Sequence, residues 1–304
     1  LGTCMKAVIE DTFAEASDGL YCRLIITAHD RKTLSKAAED VTAAPAIVIG
    51  RTEGGIEKWL NKNETPDGRV GAILQFWGNI DEQRPFEKSV QLLEKELSYR
   101  IRQDVLVKPF TALFDALPTA EGTFDTMERV GHCGDGHEWE EKRFGRQMIV
   151  VPIMVPDFQI ERYLGYARGV SGGNFWYMCR TKKALFEAGK RALEAIHTVE
   201  GVITPFDVCS AGSKTETSYP LIGPTTNHRY CSSLKGKLDK ESLVPKDVKY
   251  VPEIVINGTS LGAVKRGMKV GIEATSQVEG VTRVSAGNYG GKLGKYKIYL
   301  RELF

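Results

Sequence analysis

Glu253–Ile254–Val255–Ile256–Asn257–Gly258 and, one helix later, Val278–Glu279–Gly280–Val281–Thr282–Arg283–Val284 frame the stretch that decides the fold. The first segment reads as a strand closed by a turn dipeptide. Thr259–Ser260 opens a helix to about Thr275, with Leu261, Val264, Met268 and Ile272 on one face. Val278–Glu279–Gly280 then turns the chain into a second strand, Val281 to Val284. The unit is strand, helix, strand.

The same grammar appears upstream. Gly172–Gly173–Asn174 leads into a strand, Phe175 to Cys179, and a helix follows with Leu185, Ala188, Ala192 and Ile196 on one face. Val199–Glu200–Gly201–Val202 closes that unit with the residues that close the later one, an internal repeat. The first half supplies two more units. Cys22–Thr27 reads as a strand after Val8–Ile9, His29–Asp30 opens a helix to about Val41, and Pro45–Ile49 reads as the returning strand. Pro66–Asp67–Gly68–Arg69 is a turn signal. It precedes a strand, Val70–Trp77, a helix, Phe86–Arg102, and a closing strand, Val105–Val107.

Two such units on one sheet give a split β-α-β arrangement with right-handed crossovers. The expected fold class is therefore α+β: two ferredoxin-like lobes, pseudo-duplicated. The stretch Thr119–Arg146 is polar, rich in Gly and acid, and expected to be irregular. The boundary is placed at its end, giving lobes 1–145 and 146–304. A single doubly wound sheet is the runner-up, and this stretch, with the polar Ser210–Asn227, argues against it.

The 304 residues suffice for two domains, and the hydrophobic and charged fractions, 42% and 26%, are those of soluble globular chains. With 41 basic and 39 acidic residues, the chain carries no electrostatic footprint for nucleic acid and no polybasic membrane anchor. The most apolar run, Met148–Val155, is broken by Pro152 and too short to span a bilayer. Leu1 is not an initiating residue, so a preceding segment is expected to have been removed; no charged-then-apolar leader is visible. The six cysteines stand singly without a Cys-x-x-Cys pair, which speaks against zinc or a dithiol and for reduced thiols in the cytoplasm.

Glu253 is the candidate acid. By period two it shares a strand face with Val251 and Val255, where desolvation favours its neutral, proton-donating form. The alternative is a strand-start acid facing solvent after Pro252. The loop Ser285–Lys292 offers Ser285, Asn288 and Lys292 as donors, with backbone freed by Gly287, Gly290 and Gly291; such loops are more commonly plain turns. Gly172–Gly173–Asn174 carries the same ambiguity. Ser210–Lys214 and Thr225–Asn227 read as solvent-facing loops, and His132 and His137 as solvated loop histidines. No Ser-His-Asp pattern, P-loop or dinucleotide fingerprint occurs.

Taken together, Ile9–Glu10–Asp11–Thr12–Phe13–Ala14–Glu15–Ala16, Glu64–Thr65–Pro66–Asp67–Gly68–Arg69, Gly172–Gly173–Asn174–Phe175, Glu253–Gly258 and Ser285–Gly294 resemble the formylmethanofuran–tetrahydromethanopterin formyltransferase family, in order along the whole chain. The resemblance implies a two-lobed subunit, a homotetramer built as a dimer of dimers, and clefts shared between subunits. It implies formyl transfer from formylmethanofuran to N5 of tetrahydromethanopterin in cytoplasmic one-carbon metabolism, with no metal and no tightly bound cofactor. Glu253 matches the family's buried acid. With it go the expected substrate contacts: Gly172, Gly173 and Asn174; Ser213, Lys214, Thr226 and Asn227; Asn257; and Ser285, Asn288, Gly290 and Lys292. The chain departs from the pattern at Asp207–Val208–Cys209 and at Pro252. Those departures support an alternative: a non-catalytic relative that binds a one-carbon carrier, or serves as a subunit of a formyltransferase/hydrolase complex.

Overall fold

A computed structural model describes residues 7–43, 51–214, 217–222, 225–238 and 241–304. In chain order the chain forms β1 (Val8–Ile9), β2 (Phe13–Ala28), α1 (Arg31–Thr42), β3 (Thr52–Leu60), β4 (Val70–Asn79), α2 (Phe86–Arg100), β5 (Ala112–Asp115), β6 (Gly122–Asp125), β7 (Trp139–Arg143), β8 (Arg146–Pro152), β9 (Asp157–Glu161) and β10 (Tyr163–Cys179). There follow α3 (Lys182–Ile196), β11 (Val202–Ile203), β12 (Ser213–Lys214), β13 (Thr225–Thr226), β14 (Glu253–Gly258), α4 (Leu261–Ser276), β15 (Val281–Ser285) and β16 (Tyr296–Tyr299).

Contacts divide the chain into two units, 1–18 with 170–304, and 19–169. In each, a split β-α-β sheet appears. In the 19–169 unit β3, β4, β2 and β5 pair side by side, all antiparallel. In the other unit β11, β14, β10 and β15 do the same. The fold class is the expected one, a two-lobed α+β protein.

Side-chain caps start α1, α3 and α4. Asp30 caps α1 by accepting from Thr33 N at 2.8 Å, and Thr181 and Ser260 cap α3 and α4 in the same way at 3.1 Å. The apolar faces of α3 and α4 then bury Ala188, Ala192 and Ile196, and Val264, Met268 and Ile272, against Phe175, Tyr177, Ile254 and Ile256 of the sheet. Each buried Val, Ile, Met or Phe among them contributes roughly 1.5–3 kcal/mol.

The Val-Glu-Gly repeat is structural. Gly201 and Gly280 both take left-handed φ, +80° and +92°. The Gly201 carbonyl accepts from Thr259 N beyond β14, and that of Gly280 from Arg180 N beyond β10, each at 2.9 Å. The two turns occupy equivalent corners of one sheet.

Four expectations need correction or relocation. Pro45–Ile49 lies outside the described residues; the strand that pairs with β4 is β3. Val105 and Leu106 end a π-helical extension of α2 over Ile101–Leu106, because Ile101 and Val105 both point into the core at helical spacing; β5 closes the sheet instead. The stretch 119–146 is not irregular throughout, since it holds β6 and β7. The boundary expected at 145/146 falls inside the β7–β8 hairpin, where Phe144 and Gly145 both have positive φ, +55° and +73°. That is the two-residue turn usually signalled by Asn-Gly or Asp-Gly, and Phe-Gly hides it. The chain leaves the first unit at Asp18 and returns to it at Val170.

Candidate functional site

β14 places Glu253 opposite Trp176 on β10, and Trp176 is also the register partner of Ser285 on β15. Phe175 and Tyr177, the neighbours of Trp176, point into the helix-covered core. Glu253, Trp176 and Ser285 therefore form a row on the opposite face of the sheet. Glu253 is 8% exposed, so the solvent-facing reading of this acid is set aside. Trp176 Nε1 donates to Glu253 Oε1 at 3.0 Å. Cys209 and Glu253 exchange backbone hydrogen bonds of 2.8 and 2.9 Å, so the divergent Asp207–Cys209 segment pins the acid's main chain. Asp207 enters that segment with φ +52°, a left-handed position that Asp tolerates. Burial pushes the Glu253 carboxyl above the ordinary glutamate range, opposed by hydrogen bonds from Trp176 and the Cys209 thiol.

The glycine-rich loop after β15 is fastened beside this row. Asn174 Oδ1 accepts from Gly287 N at 2.7 Å, and Asn174 Nδ2 donates to the carbonyls of Gly172 and Gly287. A β-carbon on Gly287 would stand 3.0 Å from Trp176 Cζ2, which explains glycine there. Asn288 Nδ2 donates to Thr12 Oγ1 and to the Phe13 carbonyl, and Tyr289 N donates to Glu15 Oε2 at 2.8 Å. Burial, then the charges of Glu253 and Glu15, raise the Tyr289 phenol. Glu15 is 7% exposed, and its Oε1 has no hydrogen-bond partner among the described residues.

On the far side of Trp176 lies a hollow of about 440 Å³, to which Gly212, Thr226, Asn227 and Pro252 contribute. Thr226 Oγ1 donates to Ala211 O, and Asn227 N to Gly212 O, so the β12–β13 hairpin is anchored at its rim. Tyr230 packs edge-on against Trp176, with ring centroids 4.6 Å apart.

The structure thus gathers Glu253, Asn174 and Ser285 around Trp176, with Thr226 and Asn227 at the adjoining hollow, while Asn288 ties the loop to Thr12 and Phe13. Ser213 pairs with Thr226 in the hairpin, and Lys214 Nζ meets His228 Nδ1 at 3.0 Å. Asn257 is fully buried and accepts from Gly172 N at 3.0 Å, holding the β10 bulge. Gly173 lies under α4, where a β-carbon would overlap Val264. Gly290 and Lys292 are exposed at the loop's outer edge. His132 bonds Glu138 in an exposed loop, and no group of three or more His, Cys, Asp or Glu able to hold a metal occurs among the described residues. No described helix is long and apolar enough to cross a membrane.

Sequence reasoning passed over Trp176, Glu15, Tyr230 and Tyr289. Period two does put Trp176 on the face of Asn174, but only the β10–β14 register brings it to Glu253.

Fold and site together define a two-lobed α+β protein that keeps a shielded carboxylic acid beside a glycine-rich loop. Residues 3–153 match the family model for formylmethanofuran–tetrahydromethanopterin formyltransferase, and residues 156–303 match that for the proximal lobe of the same enzyme. The chain belongs to this formyltransferase family. It is 56% identical over 293 residues to a formyltransferase-like protein of Methanothermobacter thermautotrophicus, covering 96% of each chain. It is 40% identical to the formyltransferase of Methanothermus fervidus, covering 97% of this chain and 98% of that one. Among solved structures, the Methanosarcina barkeri enzyme superposes with a TM-score of 0.89 at 39% identity, covering 98% of both chains. A chain of the formyltransferase/hydrolase complex of Methylorubrum extorquens, solved with methylofuran, gives 0.87 at 30%, covering 97% of this chain and 96% of that one.

Proposed function

We propose that this chain transfers a formyl group from formylmethanofuran to N5 of tetrahydromethanopterin, with Glu253 as the general acid. The observation that carries the reading is the state of Glu253: shielded, raised by burial, and aimed by the Trp176 N–H. The chemistry needs such a group. N5 attacks the formyl carbon, and the C–N bond to methanofuran breaks as the tetrahedral intermediate collapses. The departing amine takes the proton of Glu253, and the carboxylate so formed receives the proton that N5 releases. The acid is regenerated and the atoms balance. The formyl group passes directly between carriers, so no cysteine and no resident cofactor takes part, and a water-poor site guards it from hydrolysis.

The test is to mix the purified chain with both carriers and follow the N5-formyl product. Product formation supports the enzyme. The likeness to a chain of a formyltransferase/hydrolase complex favours one other reading, a subunit that binds a carrier without turning it over. Carrier binding with no product from the isolated chain would select that reading.

A further inference from the structure

The edge of β14 opposite β10 holds a residue that the transfer chemistry leaves unused. Beyond β11 the chain turns at 204–207, where Asp207 N donates to Thr204 O and Asp207 takes φ +52°. Val208 and Cys209 then run back along β14. Val208 packs against the helix-covered core, above Gly189 of α3, where a β-carbon would overlap it. Cys209 therefore faces the other way. It exchanges main-chain hydrogen bonds with Glu253 as an antiparallel bridge. That pairing sets two side chains directly opposite each other on one face. With the registers of β14, β10 and β15, a single row runs Cys209–Glu253–Trp176–Ser285. The acid stands between an indole and a thiol.

The sulfur is itself held. Ala211 N donates to Cys209 Sγ at 3.5 Å, and Ala211 O accepts from Thr226 Oγ1 at 2.6 Å, so the β12–β13 hairpin steadies the amide that meets the sulfur. A sulfur that accepts this N–H keeps its own hydrogen for a second partner, and the Glu253 carboxyl is the acceptor across the bridge. We propose that Cys209 is a positioning residue for the Glu253 proton: its thiol, oriented by Ala211, is the carboxyl's second hydrogen-bond donor, on the side away from Trp176. Thiol and indole both favour the carboxylate and act against burial. No charged residue adds to these influences among the described residues. Tyr289 of the glycine-rich loop is the other titratable group near the acid, and its phenol responds to the Glu253 charge. The departure from the family pattern at Asp207–Val208–Cys209 thus reaches the proton of an acid that matches the family's own. Only the effect on turnover rests on the proposed function; the hold on the carboxyl does not.

The experiment follows the Glu253 carboxyl by 13C NMR across pH in the intact protein, labelled at glutamate Cδ. The resonance is assigned by its loss in Glu253→Gln. Cys209→Ala removes the donor and should raise the titration midpoint by about half a pH unit, roughly threefold in proton affinity, the scale of one weak hydrogen bond. Cys209→Val, closer to cysteine in volume and also without a donor, should shift it likewise and carries the test if alanine unsettles the bridge. Cys209→Ser keeps a donor and should hold the midpoint at or below that of the unaltered protein. A role in packing alone would not separate serine from the other two. In the transfer assay the alkaline decline should move in the same order, with KM for each carrier little changed. An unmoved midpoint in the alanine and valine variants, or the same shift in all three, overturns the proposal. The expected shifts in a protein that transfers no formyl group would refute the proposed function and leave the role of Cys209 standing.

Discussion

Trp176 Nε1 and Glu253 Oε1 are 3.0 Å apart, and the two residues are register partners on neighbouring strands, β10 and β14. The bond is therefore set by strand pairing and does not depend on a flexible loop. It also acts against burial. Desolvation favours the neutral acid, and the indole N–H favours the carboxylate. The two effects thus oppose each other at one carboxyl, with burial the larger.

Replacing Glu253 with Gln keeps the shape and the acceptor for Trp176 but removes the transferable proton. Turnover should fall at least about a hundredfold, the lower range of general acid catalysis. Circular dichroism should show the fold unchanged. Near-normal turnover in Glu253→Gln would remove the assigned role.

Trp176→Phe tests the opposing term. A general acid works while protonated, so turnover declines as pH rises through its pKa. Without the indole N–H the carboxylate loses a stabilising partner, and its pKa moves further up. The alkaline decline in the pH–rate profile should shift to higher pH. A shift downward, or none, would show that the hydrogen bond does not tune this group.

Stability should carry the same signature. The folded-state pKa of Glu253 lies above its unfolded value, so the folded state binds the extra proton between the two. The stabilisation is complete below pH about 4, where both states are protonated, and is lost as pH rises through the folded value. Glu253→Gln, always neutral, should match wild type in melting temperature at low pH and exceed it at neutral pH. Parallel melting curves across pH would contradict a buried, raised carboxyl.

Gly173→Ala would drive a β-carbon into Val264 of α4, a β-branched side chain on a packed helix. The expected loss is about 1–3 kcal/mol, read by urea denaturation. A neutral result would mean that Gly173 faces open space in solution, against the close approach of Val264.

Glu15 supplies a separate test through the loop it fastens. Glu15→Ala removes the acceptor of Tyr289 N, a bond worth about 1 kcal/mol. Hydrogen exchange at the Tyr289 amide should then quicken by roughly fivefold, as 1.4 kcal/mol corresponds to tenfold. Glu15→Gln retains an acceptor and should keep the protection. Equal exchange in all three proteins would show that the Glu15 carboxylate does not hold the Tyr289 amide.

What could be read directly from the chain is the part governed by short-range rules. The helix-opening Asp30 and Ser260, the face repeats of α3 and α4, the Gly201 and Gly280 turns and the strand of Glu253 all rest on periodicity and on backbone freedom within a few residues. So does the fold class, because two strand–helix–strand units need one another's apolar faces. The remainder was decided by contacts distant in sequence. β3 carries Glu53, Gly54, Gly55 and Glu57 and does not look like a buried strand; Glu57 is buried because Arg23 of β2 pairs with it at 2.8 Å. The β7–β8 hairpin turns on Phe144–Gly145, and the unit boundaries fall inside β2 and β10, where composition gives no sign. Trp176, which meets the acid across a strand pair, and Glu15, which holds Tyr289 N of a loop far downstream, take their places from register and loop closure. Local propensity names the element and its exposed or buried face. Only the folded chain determines how deeply Glu253 is buried and which side chain stands opposite it; burial raises its proton affinity and the Trp176 N–H opposes that rise.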